Sequence, residues 1–548
     1  MQDYIWLNKY GRDFLKKDYL LPGQTVDERV DIMCKRAEEI LKIEGFAEQF
    51  KENVKKGWYS FSSPVWSNFG ADRGLSASCF GSYISDSMES ILESLTEVGI
   101  MTKHHGGTSA FFGELRHRGS AIKNSGHTSG SVHFMRLYDN LINVVSQGNL
   151  RRGSFAAYLP LDHEDILEFL NTRSEGNPLQ DISFGVTVPE GWLQSMIDGD
   201  KKKRKIWARV LEVRTNTGYP YIIFSDNMNN GAPQVYKDHG MKIHQSNLCT
   251  EIALPNSELE SFVCFLSSMN LLYYHDWKNT NAVELLMFFL DATVTEFIEK
   301  AKKIKHMERA VRFSENQRAL GIGWLGWHSF LQSQMIPFES QIAEDLNVEI
   351  AQYMDAQTMA ASKKLFELYG TSDLLRPYGV RNATRLSIAP TKSSSFIMEQ
   401  SSEGIEPEES NCYIKDLAKG KFTFKNKFLT KILEERGQNT DEVWLSILKN
   451  RGSVKHLDFL TNHEHNVFKT FAEIDQHKVI KQAADRQKYM DQSQSLNLII
   501  HPSTPVKEVN ALIIDAWRQG VKSLYYQKSI NAAQEFSRSL EECASCSI

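Results

Sequence analysis

With 548 residues, the chain has the length of three or four domains, or of one large α/β barrel with additions. It is 41% apolar and 24% charged with a formal charge of −5, an ordinary soluble composition with no electrostatic case for nucleic acid or a membrane surface as partner. No apolar run approaches the ~18 residues that span a bilayer, and the mixed charged and aromatic start MQDYIWLNKYGRDFLKKDYLL is not a signal peptide, so the expected compartment is the cytoplasm.

In chain order, the first ~60 residues read as helices. The stretch TVDERVDIMCKRAEEILKI opens with a capping signal, Thr25 followed three residues later by Glu28, and carries apolar residues at helical spacing. Cys34 falls inside that pattern as a core residue. From about residue 63 the texture changes to short apolar stretches, Gly/Ser turns and helices, which predicts an α/β architecture. The segments SASCF and SFVCFLSS place Cys79 and Cys264 in apolar stretches edged with serines, and either alone reads as an inert buried thiol. The basic run KKKRK at 201–205 is expected to be a solvated loop.

SNLCTE poses the sharper question, because an amide, a thiol and a carboxylate recur at every second position: Asn247, Cys249 and Glu251. On an extended segment all three project from one side. The pattern fits either a half-buried strand or an extended finger that aims three chemistries at one point. Next, NAVELLMFFLDATVTEFIEKAKKI predicts a long, largely buried helix. GIGWLG (Gly321, Gly323, Gly326) matches the dinucleotide fingerprint, but FSENQRAL before it is no strand and no acidic residue sits in a ribose position. Close helix packing or a tight turn is the expectation there. RLSIAPTKSSS reads as a strand, a proline and a hydroxyl-rich helix start suited to an anion such as phosphate. His456, His463 and His465 lie close in sequence without the further ligands that a metal site needs. GVKSLYYQKS sets Tyr525 beside Tyr526, and ECASC closes the chain with a C-x-x-C pair, Cys543 and Cys546, on a stretch that loses apolar periodicity.

Seven cysteines, an odd number at low density, predict reduced thiols and at most transient, catalytic disulfides. With no second C-x-x-C, half a zinc site is a weak account of the tail. Carriage of reducing equivalents by thiol–disulfide exchange is the better one.

Taken together, SSPVWSNFGADRGLSASCF, GELRHRGSAI, SQGNLRRGSFAAYLP, SNLCTEIALP, RALGIG, APTKSSS, GIEPEESN, GVKSLYYQ and the double-cysteine tail make the chain resemble the large (α) subunit of class I ribonucleotide reductase, almost end to end. The resemblance implies an α/β fold: a ten-stranded α/β barrel with a central finger loop (63–528), preceded by a helical N-terminal region (1–62) and followed by a flexible redox tail (529–548). It implies reduction of ribonucleoside diphosphates to deoxyribonucleotides for DNA synthesis. Cys249 takes the role of the thiyl radical that removes the 3′ hydrogen, Glu251 that of general base on the 3′ hydroxyl, and Asn247 holds the ribose hydroxyls. Cys79 and Cys264 match the reducing pair, reopened by Cys543 and Cys546, which thioredoxin or glutaredoxin renews.

By the same resemblance, Tyr525 and Tyr526 relay the radical from a separate small (β) subunit, whose metal-bearing radical cofactor this chain lacks; no metal or cofactor is expected in the chain itself. Thr391, Ser393 and Ser394 match the diphosphate turn, with Ser63 and Ser78 beside them. Asp86, Arg116 and Lys123 align with the site for (deoxy)nucleoside triphosphate effectors at a homodimer interface, and Gln147 and Arg151 with the loop that links effector to base choice.

The chain is short for the family and its tail spacing is C-x-x-C where some members have a longer gap, and two further features depart from the pattern. The first helical segment begins at once, which predicts that the N-terminal ATP-cone is missing and that dATP redirects base choice without shutting activity off. Lys392 stands where many relatives have a small or acidic residue. A cobalamin-dependent class II enzyme needs no tyrosine pair, a glycyl-radical enzyme needs a motif not found near the C-terminus, and a non-catalytic paralogue would have lost one of the matched residues. The implied setting is the cytoplasm of a bacterial or virus-infected cell.

Overall fold

A computed structural model of the chain describes residues 4–104, 106–145, 153–399, 401–417, 420–501 and 503–529. The helical start forms as the sequence predicts, with helices Lys9–Asp18, Val26–Leu41 and Phe46–Lys55. Thr25 and Glu28 make the reciprocal capping box: Glu28 N donates to Thr25 Oγ1 at 3.2 Å and Thr25 N donates to Glu28 Oε2 at 2.8 Å. The face bearing Val26, Val30, Met33, Cys34, Ala37 and Leu41 is buried. From the same helix the buried Arg29 donates to the carbonyls of Val65, Trp66 and Phe69, whose groups end the short helix Ser63–Asn68. One guanidinium therefore fastens the N-terminal helices to the segment that carries Ser62 and Ser63.

Among the described residues the central sheet has nine strands. Cys79–Tyr83, Gly107–Phe111, Phe155–Pro160, Ser183–Val188 and Tyr221–Phe224 run parallel in that order. Cys79–Tyr83 pairs antiparallel with the start of the long strand Phe262–Asn270. Tyr59–Phe61 pairs antiparallel with the later part of that strand, and Leu320–Leu325 lies parallel along its other edge. The ring continues through parallel bridges from Ile322 to Leu386 and from Ile388 to Gln494. It passes by way of Tyr525 N to Leu496 O and the parallel strands Leu498–Ile500 and Gln527–Ser529, and closes where Ser523–Leu524 pairs antiparallel with Tyr221–Phe224. With 386–388, 494–500 and 523–529 as one stave each, and Tyr59–Phe61 sharing an edge with Cys79–Tyr83, the ring has the ten staves expected, in two opposed sets of five parallel strands.

Strands buried on both faces need continuous apolar runs, and FAAYLP and YIIF supply them. Helix Ala282–Ala301, buried along most of its length, packs against the long barrel strand, the N-terminal helices and helix Gln341–Tyr369. Phe50, Tyr59 and Phe289 stack across that junction with ring centroids 4.5–4.8 Å apart. The core is thus continuous from the N-terminal helices into the barrel. A second, smaller core gathers Leu429, Leu433, Trp444, Ile447, Val467 and Phe468 in a lobe that sequence reading did not separate. Among the described residues no helix is long and apolar enough to cross a membrane.

Two sequence expectations are corrected. The run at 201–205 is not a loop but the start of helix Lys201–Thr217, capped by Asp200, which accepts from Lys203 N. Lys201, Lys202, Arg204 and Lys205 are exposed and Lys203 lies over the Trp192 ring, so a basic run and a helix start coincide. GIGWLG is neither a helix-packing site nor a turn: its first five residues lie in the barrel strand Leu320–Leu325. A Cβ on Gly321 would meet Leu266 Cδ2 at 2.4 Å and Ser387 Cβ at 2.8 Å, and one on Gly323 would meet the Ser387 carbonyl at 2.5 Å. The glycines serve close approach of neighbouring staves.

Candidate active site

Residues 245–256 thread the inside of the ring, held by hydrogen bonds from staves on all sides. Ser109 Oγ donates to Ser246 O at 2.9 Å and Tyr158 Oη to Asn247 O at 2.5 Å. Ser495 Oγ donates to Cys249 O, Ser523 Oγ to Thr250 O and Ser387 Oγ to Glu251 O, at 2.5, 2.9 and 2.8 Å. Backbone that leaves secondary structure inside a protein must find such partners, and here side chains of the staves provide them. The result is a finger held at Ser246, Asn247, Cys249, Thr250 and Glu251.

The tip is not the straight extended segment that alternation suggested. Residues 248–250 form a turn with Thr250 at φ 68°, and Ser246 Oγ reaches across to Ile252 O at 2.6 Å. Asn247 and Glu251 stand on the two arms of this turn, with Cys249 between them. Asn247 Oδ1 accepts from Ile252 N at 3.3 Å, while Asn247 Nδ2 points at Cys79 Sγ, 3.0 Å away. Burial pushes the Glu251 carboxyl up to about 7, against hydrogen bonds from its surroundings that lower it. At neutral pH it therefore exists in comparable amounts as acid and base, the condition of an effective proton-transfer group.

Cys79 and Cys264 are register partners across the antiparallel pair of Cys79–Tyr83 with Phe262–Asn270. Residues opposed in this way have Cα atoms about 4.5–5.5 Å apart, inside the span of a disulfide. Both are thiols here. Burial raises Cys264 far above an ordinary thiol, so it stays neutral, and its Sγ accepts from Gln492 Nε2 at 3.6 Å. On the other side of the finger Tyr525 Oη lies 3.6 Å from Cys249 Sγ. The Tyr525 and Tyr526 rings follow with centroids 4.2 Å apart.

One cavity joins these groups. Cys79, Cys249 and Glu251 line it together with Ser62, Ser63, Ser78, Thr391, Ser393 and Ser394. Ser62 and Ser63 lie at the start of the short helix whose other end Arg29 holds, and Ser78 Oγ donates to Ser62 Oγ at 3.1 Å. Thr391 adopts a left-handed φ of 59° before helix Lys392–Ile397, and its Oγ1 accepts from Gly404 N at 2.7 Å. Lys392 is the only lysine or arginine among the described lining residues. Hydroxyls and one cation suit an anionic group, while the thiols and carboxyl suit redox chemistry coupled to proton transfer.

This arrangement, a carboxyl, a thiol facing a tyrosine pair and one member of a cross-strand thiol pair lining one cavity, with the other member, Cys264, buried behind it, agrees with the similarities of the chain. A sequence model described as "Ribonucleotide reductase, barrel domain" matches residues 77–203, 195–374 and 371–527. The chain belongs to the ribonucleotide reductase large-subunit family. It is 33% identical to the putative ribonucleoside-diphosphate reductase large subunit of Frog virus 3, over 91% of this chain and 92% of that one. It is 33% identical to the large subunit of Invertebrate iridescent virus 3, covering 96% and 94%. The structure superposes on the class Id ribonucleotide reductase alpha subunit of Actinobacillus ureae with a TM-score of 0.92 and 50% identity, covering 97% of this chain and 99% of that one.

Of the candidate effector residues in this ribonucleotide reductase large subunit, Asp86 and Arg116 meet. Arg116 Nε pairs with Asp86 Oδ2 at 2.7 Å, and Arg116 Nη1 donates to Ala121 O at 3.0 Å. That second bond ties the pair to the small hairpin of Ala121–Ile122 and Gly126–His127, which carries the exposed Lys123. Gln147, Arg151, Cys543 and Cys546 lie outside the described residues. His456, His463 and His465 bond separately to Ser446 Oγ, Met335 O and Leu457 O.

Sequence reading missed the groups that hold the site. Tyr158, Ser387, Gln492 and Ser523 had no local signal. Nor did Ser493, Ser495 and Asn497, set in the largely polar run DQSQSLN: Ser493 N donates to Glu251 O, Ser495 Oγ to Cys249 O, and Asn497 Oδ1 accepts from Tyr526 N.

Proposed function

We propose that this chain is the catalytic subunit of a ribonucleoside-diphosphate reductase, which converts ribonucleoside diphosphates to 2′-deoxyribonucleoside diphosphates. The observation that carries the reading is the line from Tyr525 Oη to Cys249 Sγ, 3.6 Å long, opening into a cavity shared by Glu251 and Cys79. A separate small subunit supplies the one-electron oxidant through its radical cofactor. Tyr526 and then Tyr525 pass that oxidation inward, each by giving up its phenolic hydrogen, until the hydrogen of Cys249 moves to Tyr525.

Cys249 then removes the 3′ hydrogen of the ribose, and Glu251 accepts the 3′ hydroxyl proton as the 2′ hydroxyl leaves as water. Cys79 and Cys264 give two electrons and two protons and close a disulfide. One of those protons leaves with the 2′ oxygen as water and the other ends on C2′; the 3′ hydrogen returns from Cys249 and the 3′ hydroxyl proton from Glu251, and Cys249 regains its own hydrogen through Tyr525. Asn247, beside Cys79, orients the ribose hydroxyls. Ser63, Ser78, Thr391, Ser393 and Ser394 hold the diphosphate, with Lys392 adding a cation. Cys543 and Cys546 reopen the disulfide and are renewed by thioredoxin or glutaredoxin. Asp86, Arg116 and Lys123 bind a nucleoside triphosphate effector, with Gln147 and Arg151 on the loop that carries its message.

The apolar residues Met88 and Leu92 are exposed on helix Met88–Lys103, which begins just after Asp86, and Leu137 and Val144 are exposed on the helix Ser131–Val144 that packs against it. That face supports a homodimer. The decisive test of the reading is Cys249→Ser, assayed for CDP reduction with the small subunit. Deoxynucleotide formation should vanish while CDP binding stays near normal; appreciable product would refute the assignment.

A further inference from the structure

We propose that Tyr219 is a third redox-active phenol, coupled to Tyr526, so that the relay inside this chain contains three tyrosines rather than two. The proposal rests on the reading above that Tyr525 and Tyr526 carry a radical. Tyr219 Oη lies 3.1 Å from Tyr526 Oη, and the two rings meet edge to face with centroids 5.2 Å apart. This contact is shorter than the 3.6 Å between Tyr525 Oη and Cys249 Sγ. Transfer of a hydrogen atom between phenols needs the two oxygens within hydrogen-bond reach, and this pair meets that condition.

The exchange balances without another reactant. A Tyr526 phenoxyl takes the hydrogen atom of Tyr219 Oη: one O–H bond breaks at Tyr219, one forms at Tyr526, Tyr219 is oxidised by one electron and Tyr526 is reduced by one. The reverse step delivers an oxidation arriving at Tyr219 inward to Tyr526. The oxidising equivalent is the one that the small subunit already supplies.

The surroundings of Tyr219 indicate its place in the series. Its ring stacks on Phe184, centroids 5.3 Å apart and 12° from parallel, and the Arg173 guanidinium sits 5.0 Å above it. A cation over the ring face disfavours removal of an electron. A radical on Tyr219 therefore lies uphill of one on Tyr526 and passes through without accumulating. Arg173 is only half-buried, so the series Cys249, Tyr525, Tyr526, Tyr219, Arg173 runs from the finger tip toward solvent. Tyr219 is itself 3% exposed, which shields a radical there from quenching by water or solutes.

The test replaces Tyr219, Tyr525 or Tyr526, one at a time, with 3-aminotyrosine in the full chain. This residue keeps the phenol and is more easily oxidised, so it traps a passing radical. Each variant is mixed with the small subunit, CDP and an effector, and read by electron paramagnetic resonance. An aminotyrosyl radical at 219, as at 526, is the expected result, with matching loss of the oxidant on the small subunit. In parallel, Tyr219→Phe keeps the ring contacts and removes the oxygen; its kcat should fall about tenfold or more with KM for CDP nearly unchanged. A radical at 526 with none at 219 overturns the proposal, and so does wild-type turnover by Tyr219→Phe. Lost turnover in Tyr219→Phe without a trapped radical at 219 also overturns it, leaving Tyr219 a positioning residue for Tyr526. If none of the three positions traps a radical, the relay itself is wrong and the proposal falls with it.

Discussion

Glu251 shows how one burial sets a chemical role. Its carboxyl is raised from an ordinary 4.5 to about 7 by burial in the finger. A base works only when deprotonated, so the rate with CDP should rise as pH passes through about 7 and then level off. Glu251→Gln should lose both the activity and that limb. The same shift has a thermodynamic consequence of definite sign. Between pH 4.5 and 7 the folded protein keeps a proton that the unfolded chain has released, so the Glu251 contribution is complete below 4.5 and is lost as pH rises through about 7. Thermal melts of Glu251→Gln against the parent should show a flatter dependence on pH across this window. Identical slopes would mean that the carboxyl titrates normally.

At the scale of elements, the strand Leu320–Leu325 shows the cost of putting staves so close together. Gly323 faces the Ser387 carbonyl, and Ser387 Oγ in turn holds the finger at Glu251 O. An added methyl group at 2.5 Å from a backbone oxygen cannot be absorbed by a rotamer change. Gly323→Ala should destabilise the protein by about 1–3 kcal/mol and displace the 386–388 stave. The expected readouts are a lower Tm and a loss of kcat larger than the loss of folded protein. A variant with parental Tm and kcat would show that the staves have room to spare. The finger itself needs all its neighbours, because its tip is a turn with Thr250 at positive φ and not a strand. Such a conformation persists only where surrounding bonds over-determine it, as the serines at 387, 495 and 523 do here.

For the whole molecule, Met88 and Leu92 form a short exposed apolar row, one turn apart on the helix Met88–Lys103 that begins just after Asp86, the partner of Arg116. If that row joins two copies, a charge placed in it breaks the pairing and weakens the effector response with it. Leu92→Glu should therefore shift sedimentation at micromolar concentration from dimer toward monomer and blunt the change in base preference on adding a nucleoside triphosphate. A fully dimeric Leu92→Glu protein would move the interface elsewhere. The folded monomer should survive the change, since Leu92 is about half exposed and lies outside the buried core.

The sequence alone determined those parts whose chemistry is local. The capping box of Thr25 and Glu28 formed as read, because it joins groups three residues apart. The apolar runs became barrel staves, because strands buried on both faces admit little else. The triad Asn247, Cys249 and Glu251, the tyrosine pair and the hydroxyl turn were legible because each sits within a few consecutive residues. Tertiary structure alone decided what long-range pairing creates. It opposed Cys79 to Cys264, 185 positions later in the chain, in one strand register. It made GIGWLG a stave, since only the approach of Leu266 and Ser387 shows why glycine is needed there. It bent the finger into a turn, and it brought Tyr219 against Tyr526 across 307 residues. No local pattern encodes such neighbours, because closure of the barrel, not the adjacent sequence, sets the distance between them.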